Sequence, residues 1–113
     1  MNLNQVNLVG RLTDSPRIVE LQTGTVCNLS VAVNGMPKKG TKEQTVEFIP
    51  VSVFGKQAVT CGSNLVKGQE VRIEGRLHFR KQKIGDKSVT AGEVRASYVQ
   101  FGMKPRLAMP AAA

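Results

Sequence analysis

Along most of this chain apolar and polar residues alternate with a period of two, the pattern of strands that bury one face. In VNLVGRL, Val6 to Leu12, the residues Val6, Leu8, Gly10 and Leu12 share one face, and Asn7, Val9 and Arg11 share the other. The turn signal TDSP follows, and a short run from Arg17 to Leu21 leads into QTGT, whose Gly24 suits a hairpin. VCNLSVAVN then sets Cys27, Leu29, Val31 and Val33 against Asn28, Ser30, Ala32 and Asn34. The alternation breaks at Gly35 to Thr45, where Pro, two Gly and three Lys predict a mobile basic loop. It resumes in VEFIPVSVF, with Ile49, Val51 and Val53 on one face and Phe48, Pro50, Ser52 and Phe54 on the other.

Between Lys56 and Gly68 the period changes. Ala58, Cys61 and Leu65 fall three and four apart, the stripe of a short helix that Gly62 weakens and Gly68 is expected to stop. Gln69 to Lys81 returns to strand, with Val71, Ile73, Gly75, Leu77 and Phe79 assigned inward and Arg72, Glu74, Arg76, His78 and Arg80 outward. Lys81 to Ser88 reads as a second basic, Gly-bearing hairpin loop, and Val94 to Phe101 as the last strand. Within it Val94 and Ala96 agree in phase while Val99 and Phe101 agree in the opposite one, so a bulge is predicted near Ser97 or Tyr98.

Strand, strand, strand, short helix, strand, strand is the element order of an all-β, five-stranded OB barrel with the helix between strands 3 and 4. In VNLVGRL and VRIEGRL, Gly10 and Gly75 occupy the same inward phase. A residue without Cβ permits tight curvature and close backbone approach, so the two glycines are expected to bend strands that lie side by side.

Composition narrows what such a barrel does. A chain of 113 residues holds one core and one domain, assigned to residues 1–103, with a loose tail at 104–113. Sixteen Lys plus Arg against eight Asp plus Glu give a formal charge of +8, which points to a polyanionic partner such as nucleic acid or an acidic membrane surface. No stretch approaches the roughly 18 to 20 apolar residues of a membrane span, and no signal-like start is present, so a cytoplasmic protein is expected. Cys27 and Cys61 are too few and too far apart for a disulfide framework or a CxxC site, and read as small buried hydrophobes. One His and two separated Cys do not make a zinc site, and no cofactor is expected. An enzyme is not expected either. There is no GxxxxGK[ST], GxSxG or HExxH, and Asp14, Glu20, Glu47, Glu74 and Glu93 are dispersed over different elements.

The blocks NQVNLVGRLTDSP, TVEFIPVSVFGKQA, NLVKGQEVRIEGRL and SYVQF, in this order and spacing, resemble the bacterial single-stranded DNA-binding protein (SSB) family of OB folds across roughly residues 1 to 102. The resemblance implies single-stranded DNA bound without sequence preference in replication, recombination or repair, and a homotetramer. It places Phe48 and Phe54 where such proteins carry stacking aromatics, with Lys56 following as a phosphate partner. Packing in the core or at an interface is the alternative for the two Phe, but their phase opposite Ile49, Val51 and Val53 favours stacking.

Arg72, Arg76, Arg80 and Lys81, with Lys83 and Lys87 in the following loop, would line one route for the strand, and Lys38, Lys39 and Lys42 another. Singly each is an ordinary surface charge; together they match the OB binding surface. Arg11 divides evenly between DNA and subunit contact, and His78 between DNA contact and simple exposure. The chain has no Trp, and Gln82 stands where relatives often place an aromatic. Weaker stacking and a steeper salt dependence are therefore expected. Relatives typically end in an acidic tip that recruits other proteins, whereas this sequence stops at Pro110 and three Ala, so recruitment through such a tip is not expected. A primosome-like OB protein acting mainly through protein contacts is the alternative reading.

Overall fold

The computed structural model describes residues 1–37, 39, 40, 42, 43 and 45–105. Lys38, and the tail assigned to 104–113 beyond Pro105, lie outside the described residues. Six strands and one helix follow in the order β1 (Val6–Leu12), β2 (Arg17–Leu21), β3 (Gly24–Asn34), β4 (Val46–Phe54), α1 (Lys56–Asn64), β5 (Glu70–Ile84) and β6 (Lys87–Phe101). β2 is the short run expected to enter the hairpin, and it pairs only with β3, outside the ring.

The other five strands close on themselves. β1 runs antiparallel to β5, β5 to β6 and β3 to β4; β4 meets β6 in a short parallel pairing, and Arg11 and Leu12 of β1 pair with β3 to shut the barrel. The inward phase read from the sequence is the core: Cys27, Val31, Val53, Val71 and Ile73 are fully shielded from solvent, and Leu12, Leu29, Val51 and Val94 are buried beside them. Ala58, Cys61 and Leu65 bring the helical stripe onto the same core. Burial raises both thiols, and Cys61, with Cys27 as a further cause, is pushed up to about 11.

The two glycines do lie on paired strands, with Val6 opposite Gly75 and Gly10 opposite Val71. Each admits a carbonyl from a third strand. A Cβ on Gly10 would collide with the Ala32 carbonyl where β1 crosses to β3, and one on Gly75 with the Arg95 carbonyl. Opposite Gly75 the β5–β6 register shifts, Glu74 pairing with Tyr98 and Gly75 with Ala96, which leaves Ser97 as the extra residue. That is the bulge the phase slip predicted. Gln57 of α1 locks onto it, donating to the Ser97 carbonyl at 2.8 Å and accepting from the Val99 amide at 3.1 Å.

Three expectations need correction. The helix stops at Asn64, four residues before Gly68: Leu65 turns extended to insert its buried side chain, and Gly68, at φ +84°, serves the following turn. Lys81 to Ser88 is not a loop, because β5 and β6 continue as a two-stranded arm to a tight turn at Gly85 and Asp86. For the same reason Leu77 and Phe79 do not point into a core; they are 45% and 60% exposed, and Phe79 lies over Gly92 across the arm.

Candidate nucleic-acid interface

β4 alternates so that Phe48 and Phe54 project from the outer side of the barrel, 66% and 45% exposed. Neither belongs to the core. They stand six positions apart on one strand, roughly 20 Å, so they are separate platforms. Phe54 ends the strand, and the next residue, Gly55, takes φ +72° to start α1. The short β4–β6 pairing, Ser52 to Arg95, carries an arginine to this point. Its guanidinium carbon lies 5.3 Å from the centroid of the Phe54 ring, a cation–π arrangement.

Arg76 is directly opposite Arg95 on the β5–β6 ladder. Like charges in that position weaken a sheet unless an anion compensates them. Arg95 Nε is also buried without a hydrogen-bond partner among the described residues, a donor the protein itself leaves unsatisfied. Phe54, Arg76 and Arg95 line a depression of about 360 Å³. A larger cleft of about 540 Å³ is also bordered by Phe54 and Arg95, and Leu21, Val26, Pro50, Ser52, Arg80 and Glu93 line it further. The site thus offers a flat ring, guanidinium groups and an apolar wall within one concave surface, the combination that stacking on bases and neutralising phosphates requires.

The predicted cations are spread over several faces. Because directly paired residues share a face, Arg76, Arg80 and Lys87 stand with His78, Glu93 and Arg95 on the Phe54 side of the arm, whereas Lys81 and Lys83 alternate to the opposite side with Leu77 and Phe79. Arg72 is paired with Val9 and Gln100 and lines a separate shallow groove with them. Lys56, at the first turn of α1, borders another groove with Gln57, Tyr98 and Phe101. Lys39 and Lys42 are exposed in the β3–β4 connection, whose base is closed by the Gly35 amide donating to the Thr45 carbonyl at 2.7 Å. Arg11 donates to the Gly68 carbonyl at 3.1 Å, a contact within the barrel. His78 is half-buried opposite Glu93.

Arg95 and Glu93 are the site residues that the sequence reading missed. The signal was present: both flank the inward Val94 and so must face outward. Starting the last strand at Val94, instead of Lys87, left them unassigned.

Comparison with known proteins finds related chains. The model of the single-strand binding protein family matches residues 3–102. Single-stranded DNA-binding protein 1 of Clostridium acetobutylicum is 34% identical over 102 residues, covering 88% of this chain and 93% of that one. Single-stranded DNA-binding protein 2 of the same organism is 36% identical over 104 residues, covering 88% and 76% respectively. The solved structure of a Plasmodium falciparum SSB complex with ssDNA matches at a TM-score of 0.78 and 26% identity, over 89% of this chain and 96% of that one.

Proposed function

The chain belongs to the single-strand binding protein family, and from that premise we propose that it coats single-stranded DNA, with one stretch of the strand running from Phe54 along the Arg76, Arg80 and Lys87 face of the arm. The observation that carries this reading is the Phe54–Arg95 stack beside an opposed Arg76, with the Arg95 Nε left without a hydrogen-bond partner among the described residues. A base stacks on the Phe54 ring, contributing about 1 to 3 kcal/mol. Its phosphates meet Arg76, Arg95 and Arg80, and the charge conflict in the free protein becomes an attraction in the complex. Phe48, with Lys39 and Lys42 beyond it, offers a second platform further along β4. Shape and charge carry these contacts, so binding tolerates any base, and protection of exposed strands during replication, recombination or repair in the cytoplasm, without enzymatic action, is the corresponding role.

A homotetramer is part of the same proposal. Support comes from β1, whose Val6 to Gly10 segment has β5 on one side and, among the described residues, no strand on the other. An open edge of that kind is a template for a second copy. The binding unit is residues 1–103. Nothing in the comparisons favours the primosome-like alternative, and among the described residues no helix is long and apolar enough to cross a membrane.

Fluorescence anisotropy with labelled oligo-dT and a duplex of equal length, over a salt series, tests the proposal. The single strand is expected to bind far more tightly, with affinity falling steeply as salt rises. Equal affinity for both forms would overturn it.

A further inference from the structure

The arm leaves the barrel between two side-chain amides, one on each flank. On the β5 flank the β1–β5 ladder ends at Val6 and Gly75. Two residues further out the same register sets Asn4 opposite Leu77, but β1 has not yet begun there, and the Asn4 side chain supplies the missing pair. Its Nδ2 donates to the Leu77 carbonyl and its Oδ1 accepts from the Leu77 amide, both at 2.9 Å. Exchanging both bonds with one residue is the hydrogen-bonded pair of an antiparallel ladder. On the β6 flank the parallel β4–β6 pairing ends at Ser52 and Arg95. There Gln57, from the first turn of α1, bonds the Ser97 carbonyl and the Val99 amide, two residues apart, as a parallel neighbour would. Past Leu77, among the described residues, β5 and β6 pair only with each other.

We infer that Asn4 and Gln57 are positioning residues for DNA binding, which fix the angle of the arm to the barrel and so hold Arg76 and Arg80 beside the Phe54 ring. The inference rests on the single-stranded DNA reading above and adds how the two halves of that site are kept in line. Phe54 belongs to the barrel and Arg80 to the arm, and the ladder between them is least regular at the root, where Gly75 stands opposite the bulge at Ser97. Arg80 lies five residues beyond Gly75, roughly 17 Å out, so a swing of about 10° at the root carries it roughly 3 Å, about the length of a guanidinium–phosphate hydrogen bond. An amide in ladder geometry on each flank resists that swing from both sides. Asn4 and Leu77 are exposed, so water takes over their bonds when the amide is lost, and the pose of the arm loosens while stability changes little.

Anisotropy titrations of labelled oligo-dT with Asn4→Ala and Gln57→Ala, each accompanied by a thermal melt, supply the test. Each variant is expected to bind about three- to tenfold more weakly, as for an arm found in its binding pose about a third to a tenth of the time, and Asn4→Ala should melt close to the wild type. Combining Asn4→Ala with Arg80→Ala separates positioning from plain support of the fold. Arg80→Ala should weaken binding by a smaller factor in the Asn4→Ala background than in the wild type, because the loosened arm already leaves the strand part of the time. Wild-type affinity in Asn4→Ala overturns the inference and leaves the single-stranded DNA reading standing. An Arg80→Ala loss of the same factor in both backgrounds also overturns it, and so does an Asn4→Ala chain that fails to fold. Should Gln57→Ala unfold, because it strips a bond from the buried Val99, Asn4→Ala decides alone. A wild type that binds oligo-dT no better than duplex overturns both readings.

Discussion

The closed barrel and the β5–β6 arm are written in the same alternating code, yet they differ in what lies behind the apolar face. Up to Gly75, the inward residues of β5 join the barrel core, and Val71 and Ile73 are wholly buried. Past Gly75 the same phase continues through Leu77 and Phe79, but among the described residues no second layer covers them, and both are exposed. Alternation fixes which residues share a face; burial depends on a partner layer that only the tertiary fold supplies. The barrel is therefore the stability element and the arm a display element. On its Phe54 side the arm shows Arg76, Arg80 and Arg95, charges that would be costly anywhere inside the ring.

Substitutions can break or sharpen that contrast. The largest effect is expected from Gly75→Val, which forces a branched side chain against the Arg95 carbonyl at the bulge. It should cost more than about 3 kcal/mol, and a thermal melt would show loss of the folded state at ordinary temperatures. Phe54→Ala comes next. It should weaken oligo-dT binding by about 1 to 3 kcal/mol in an anisotropy titration while the melting temperature and the salt slope stay nearly unchanged. Should it unfold the domain, Phe54 belongs with the barrel and the contrast fails at that point.

Smaller effects separate the two sides of the arm. Arg80→Ala is expected to flatten the plot of log affinity against log salt by about 0.7, the value for one phosphate contact on a single strand. Lys83→Ala, three residues on but facing the other way, should leave that slope unchanged. Phe79→Ala tests the display element for hidden structural weight. Its ring covers Gly92 only across the strand pair, so a denaturant titration should show a loss of about 0.2 to 1 kcal/mol, the scale of a cross-strand pair.

Much of this arrangement was legible in the residues themselves. Period-two alternation gave the five barrel strands and the buried phase of each. The change of period at Ala58, Cys61 and Leu65 gave the helix, and the phase slip between Ala96 and Val99 gave the bulge at Ser97. Gly10 and Gly75 were readable as close-approach sites, although not which carbonyl each admits, since Ala32 and Arg95 are distant in sequence. Only the outer part of the arm, Lys81 to Ser88, reads as a loop, because its Lys, Gly and Asp give it loop composition, while strand pairing there rests on backbone hydrogen bonds that composition does not encode. The outward placement of Phe48 and Phe54 was legible in the phase. That Arg95 reaches the Phe54 ring was not, because it depends on the β4–β6 pairing, which brings together Ser52 and Arg95 across a parallel contact that no local pattern announces.

On the proposed function, DNA lies on the Phe54 and Arg95 side of the arm. Photocrosslinking of an oligo-dT carrying 5-iododeoxyuridine, followed by peptide mass spectrometry, reads that contact directly. Adducts are expected at Phe54, and substituting that ring by Ala should remove them. Crosslinks confined to Tyr98 and Phe101 would place the strand in the separate groove beside Lys56, away from Phe54 and Arg95, and contradict the account.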